Sequence, residues 1–171
     1  MPARDVIGAA CDVLVGGMMF HSDHADLCRL LGIEWLARLH DDGYTHDAAA
    51  YRKLRRKAIA QTCEIPTYGR HERTTTLDRW RGMTADEIDA DGRMTALRQA
   101  MDEWCSWERT ASEEYGECHS RLLSHGHVDL ADEMRHLARD TEREHAEACA
   151  LRREMRACGW DMTHVYDMGG R

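Results

Sequence analysis

Between Leu97 and Met155 two apolar stripes recur at helical spacing on either side of Ser124-His125-Gly126-His127. Leu97, Met101, Trp104, Glu108, Ala111, Tyr115, Cys118 and Leu122 follow one another at steps of four and three. Leu130, Met134, Leu137, Thr141, Glu144, Ala148, Leu151 and Met155 do the same. Such stripes mark two long amphipathic helices, and the Gly-containing turn folds them into a hairpin. Glu108 and Glu144 lie at nearly equal distances from the turn, so the hairpin sets two carboxylates side by side in an otherwise mostly apolar seam. Removing an ionised carboxylate from water costs several kcal/mol unless a partner compensates, so these acids call for a cation or a proton.

The rest of the chain reads as helix as well. Leu, Ala, Met, Arg and Glu are frequent, whereas the chain has a single Phe and two Pro residues, which favours helix over sheet. Residues 3–15 predict a short N-terminal helix or arm, ended by Gly16-Gly17. A first long helix is expected from Met18 to Asp41, with Phe20, His24, Leu27, Leu31 and Glu34 on its seam. Asp41-Asp42-Gly43-Tyr44-Thr45 reads as a turn with Gly43 at positive φ, followed by a second helix from His46 to Thr62. The pattern then fails through Ile65-Pro66, Gly69 and the polar run to Thr76. Thr84-Ala85-Asp86-Glu87 forms a capping-box sequence. The third long helix is expected to end near Ser124, and the fourth to run from Val128 to Ala157, closed by Gly159 and followed by an irregular tail.

The expected organisation is therefore one all-α domain over 1–171: an arm (1–17), a first hairpin (18–62), a long crossover (63–92), a second hairpin (93–158) and a tail (159–171). Two antiparallel hairpins joined by one long connection give a four-helix bundle of the ferritin-like kind.

Glu34, Glu108 and Glu144 would bring acids from three helices to one core, with His145 and Asp140 flanking Glu144. His24, sharing a helix face with His21, is a further candidate ligand at a subunit interface; capping plus one core histidine explains the same pair. A formal charge of −8, from 31 acidic against 23 basic residues, disfavours a nucleic-acid or anionic-membrane partner and suits cations. Seven cysteines without a CxxC pair point to reduced thiols in a cytoplasmic protein. No run approaches the length of a membrane span, and no signal-peptide pattern opens the chain.

On these residues the chain resembles the ferritin-like superfamily over roughly 18–157: Glu34 on the first helix, Glu108 on the third, and Glu142-Arg143-Glu144-His145 on the fourth, where Glu142 and His145 spell ExxH. The resemblance implies a homo-oligomer that binds iron or another divalent metal. The chemistry it implies is iron oxidation and storage or peroxide detoxification. Residues 46–62 contain no Glu and hence no second ExxH, while Glu64 and His71 lie beyond in the connection. Glu142 and Glu144 stand about 200° apart around a helix, and the apolar seam selects Glu144. A second explanation stays open: Arg52, Lys53, Arg55, Arg56 and Lys57 of the second helix could neutralise the acids, leaving a non-enzymatic helical assembly or interaction protein.

Overall fold

A computed structural model of the chain describes residues 3–62 and 76–170. It is all-helical among these residues. Four long helices, α1 (Ala3–Leu30), α2 (Glu34–Thr62), α3 (Ala90–Ser124) and α4 (Val128–Ala157), are followed by the short α5 (Met162–Asp167). Helices α1 and α2 pack as one hairpin and α3 and α4 as another, and α1 also lies along α3. Glu64 and His71 lie outside the described residues.

The second hairpin follows the sequence pattern closely. Helix α3 begins at Ala90, because the Asp89 side chain caps it by accepting from Gly92 N at 2.7 Å. The helix therefore continues through Asp91-Gly92. The Thr84 and Glu87 capping box is formed, but it closes a single 3-10 turn. At the far end of α4, Gly159 takes φ 68° and Trp160 N reaches back to Met155 O at 2.8 Å, which stops the helix. The tail is ordered rather than irregular. Asp161 caps α5, whose Val165 carbonyl accepts from Trp35 Nε1 at 2.9 Å and whose Tyr166 hydroxyl donates to Leu31 O at 2.9 Å.

The first hairpin differs from the sequence expectation. Helix α1 runs without interruption through Gly16-Gly17, and the turn lies at Leu31-Gly32-Ile33, not at 41–45. Gly32 has φ 77°, whereas Gly43 is an ordinary helical residue inside α2. There is accordingly no separate arm. A glycine costs about 1 kcal/mol relative to alanine in a helix interior, too little to break a helix whose buried face runs through it.

This shift explains why Glu34 cannot join a core layer. It opens α2 beside the turn, its side chain is 57% exposed, and it pairs with Arg38 at 3.8 Å. A carboxylate there meets the positive end of the helix dipole, which is reason enough for it.

Two apolar cores fill the molecule. One gathers Phe20, Leu31, Leu36, Leu97, Met101 and Met155 with Trp160 of the α4–α5 junction. The other gathers Ile7, Leu14, Leu54, Leu122, Leu130 and Met134. Between them the helices carry polar side chains, and this middle layer holds the candidate site. No helix among the described residues is long and apolar enough to cross a membrane.

Candidate metal centre

Each long helix supplies one donor to the layer: His21 from α1, Asp47 from α2, Glu108 from α3 and Glu144 from α4. Ligand atoms of His21, Glu108 and Glu144 all lie within 4.8 Å of one another. His21 Nε2 stands 3.6 Å from Glu108 Oε1 and 3.9 Å from Asp47 Oδ2. Glu108 is 2% exposed and His21 3%, so both have left bulk water. Glu144 is half-buried.

Two helix glycines make the room. A Cβ on Gly17 of α1 would overlap the Asp47 carboxylate, and one on Gly43 of α2 would stand 2.6 Å from His21 Nε2. The relation is reciprocal. Each helix gives up a side chain four residues before its own ligand, and the ligand of the opposite helix occupies the gap. The two residues that looked like helix breakers are thus the places where α1 and α2 admit each other's polar side chains.

The surrounding groups orient the donors. Trp104 Nε1 donates to Glu108 Oε1 at 2.9 Å, so this tryptophan positions a carboxylate as well as filling the core. His21 Nδ1 lies 3.0 Å from His40 Nδ1, so one ring donates and the other accepts. When His21 donates, its Nε2 lone pair is left facing Glu108 and Asp47, the tautomer a ligand needs. Burial, with the neighbouring His24 and His46, holds the His21 pKa down to about 3, and burial lowers His40 too. Both imidazoles are therefore neutral.

The acids are pushed the other way. Burial, followed by the Glu144 charge, raises Glu108 to about 9. Burial raises Glu144 to about 7 against the opposing pull of His46, and Asp47 is raised by burial as well. His46 carries the compensating charge. It faces Asp47 at 3.5 Å, Asp140 at 3.4 Å and Glu144 at 4.0 Å. The Asp47 carboxylate beside it is the largest cause that lifts it to about 9. Tyr115 is buried beside the same acids, and its phenol is held well above its ordinary value, mainly by burial. Such displaced values concentrate at functional sites.

The structure joins some of the sequence candidates and separates others. Glu108 and Glu144 share the site. Asp140 stands at its solvent edge with His46, where a groove of roughly 240 Å³ between α2 and α4 opens. His24 is fully buried, but its Nε2 faces Glu103 Oε2 at 3.2 Å rather than the carboxylate pair. His145 turns toward Cys149, whose sulfur is 3.3 Å from Nε2. Glu142 is exposed, so ExxH does not point inward as a unit. His40, His46 and Asp47 escaped the sequence reading, and His21 entered it only as the neighbour of His24 on one helix face. The steps Val6, Ala10, Val13, Gly17, His21 and Leu36, His40, Gly43, Asp47 would have revealed His21, His40 and Asp47 had the glycines been kept on the seam.

The basic residues of α2 do not neutralise the layer. Arg52, Arg55 and Arg56 are exposed, and Lys53 and Lys57 both pair with Glu133, Lys53 at 2.9 Å. Geometry explains this: with α2 starting at Glu34, that stretch lies more than a helical turn beyond Asp47, alongside the second apolar core.

One imidazole nitrogen and three carboxylates make a donor set for a hard or borderline divalent cation. The constriction at the glycines and the orientation of Glu108 by Trp104 fit a preformed site. Comparison with known protein families, with curated proteins and with solved structures finds no match to this chain.

Proposed function

We propose that this chain is a ferritin-like helical-bundle protein that holds a divalent first-row cation, iron or manganese, through His21, Glu108 and Glu144, with Asp47 as a further donor. The observation that carries the reading is the convergence of His21, Glu108 and Glu144 within 4.8 Å in a buried layer. A cation of charge two would supply what the buried carboxylates lack, and metal binding would displace the Glu108 proton. The chemistry that a bound iron or manganese supplies is electron exchange with oxygen or peroxide, so iron oxidation or peroxide reduction is the proposed activity. Within the chain, His40 fixes the His21 tautomer and Trp104 fixes Glu108.

A second reading keeps the bundle as a non-enzymatic assembly whose acids are satisfied by a proton on Glu108 and by charged His46. The raised Glu108 and the His46 contacts favour it.

Melting in the presence of manganous ion, or ferrous ion without oxygen, separates the two. A cation that binds only the folded chain stabilises it by about 2.7 kcal/mol at a hundred times its dissociation constant. For a chain of this length that is a rise of several degrees. No rise at millimolar manganese would favour the protonated bundle.

A further inference from the structure

One turn from the carboxylate pair, toward the first apolar core, α3 and α4 bring two thiols together. Cys105 belongs to the first apolar core, Cys149 packs against that core, and the two side chains interact there. The helix register places them there independently: the Asp102–Arg152 ion pair at 3.0 Å lies one turn to one side, and Glu108 and Glu144 lie about one turn to the other. Cys105 is buried in the core, and Cys149 is half-buried with its sulfur 3.3 Å from His145 Nε2. The two therefore differ in access: an oxidant from solvent meets Cys149 first, and among the described residues Cys105 is the thiol beside it.

We infer that Cys105 and Cys149 form a redox-active dithiol that reduces hydroperoxides and closes to a disulfide across α3 and α4. The Cys149 sulfur attacks the peroxide O–O bond, which breaks. A sulfenic acid forms on Cys149, and the departing oxygen leaves as water with the thiol proton. Cys105 then attacks that sulfur: the S–S bond forms, the S–O bond breaks, and the second oxygen leaves as water with the Cys105 proton. Two thiols are oxidised to a disulfide while one hydrogen peroxide is reduced to two waters. Burial pushes the Cys105 thiol up to about 12, which leaves the more accessible Cys149 as the sulfur that meets the peroxide. The inference stands on the thiol geometry and does not require a bound cation.

The test is peptide mapping of the whole chain after stoichiometric hydrogen peroxide, in chelator so that no metal contributes. Free thiols are blocked before digestion. Trypsin leaves Cys105 in peptide 99–109 and Cys149 in peptide 144–152, each with a single cysteine. The expected product is a cross-link of these two peptides, formed independently of protein concentration, two mass units lighter than the separate thiols and reversed by dithiothreitol. In Cys105→Ser, Cys149 should instead accumulate a sulfenic acid that dimedone traps. The inference is overturned if the wild type keeps both thiols alkylatable, if Cys149 proceeds to sulfinic acid with Cys105 untouched, or if other cysteine pairs cross-link as readily.

Discussion

Replacing Glu108 by glutamine is expected to stabilise the metal-free protein above pH 8 and to abolish its response to manganous or ferrous ion. The buried carboxyl has a folded-state pKa near 9, against 4.5 for the free group. The folded state thus holds a proton that the unfolded chain has already lost, and stability falls as pH rises from 4.5 through 9. Glu144, raised to about 7, and His46, raised to about 9, act in the same direction, each contributing stability that is lost as pH climbs through its folded value. His21 acts oppositely: with its pKa depressed to about 3, its contribution is lost as pH falls from 6.5. The metal-free wild type should therefore be most stable near pH 5 to 6 and lose on the order of 2 to 4 kcal/mol by pH 9. Glutamine keeps the size and the acceptor for Trp104 without the titrating proton, so Glu108→Gln should flatten much of this decline. Urea denaturation at pH 6.5 and 9, with and without manganese, measures both effects. A variant that declines with pH as steeply as the wild type would show that Glu108 is not the group responsible.

The second large effect comes from Gly43→Ala. In an ordinary helix interior this change stabilises a protein by about 0.4 to 1 kcal/mol. Gly116, in α3 with nothing within 4 Å of its hypothetical Cβ, should behave that way. At Gly43 the new methyl would stand 2.6 to 2.9 Å from three atoms of the His21 ring. That ring is held by His40 at 3.0 Å and backed by Phe20, with ring centroids 5.6 Å apart, so it has little freedom to yield. Overpacking of this kind costs about 1 to 3 kcal/mol. The expected result is a lower melting temperature and at least a tenfold loss of manganese affinity, with Gly116→Ala moving stability upward and leaving affinity alone. Calorimetric titration of the two variants makes the comparison. Equal affinity in Gly43→Ala and wild type would remove His21 from the site.

The second hairpin was readable because its seam is apolar on both sides of one glycine turn, and its register followed from counting outward from that turn. Glu108 and Glu144 emerged together for this reason. The first hairpin was misread by the same logic. Gly16-Gly17 and Asp41-Asp42-Gly43 carry the composition of breakers, whereas the real turn, Leu31-Gly32-Ile33, is embedded in apolar residues and looks like seam. Propensity disfavours a helical glycine by only about 1 kcal/mol, and the burial of a helix of 28 residues outweighs that. Moving the turn by ten residues changed every partner of the first two helices. Glu34 left the core for the bundle end, and Asp47 and His21 entered the layer. Only the packing of α1 on α2 shows that each glycine is a vacancy filled by the other helix.

The central claim is that His21, Glu108 and Glu144 hold a cation together, and native mass spectrometry tests it most directly. Protein stripped with chelator, exchanged into volatile buffer and loaded with manganous ion should carry bound manganese at a defined stoichiometry. His21→Ala and Glu144→Ala, each shown by circular dichroism to remain helical, should lose it. Manganese absent from the wild type, or retained equally by wild type and variants, would contradict the assignment.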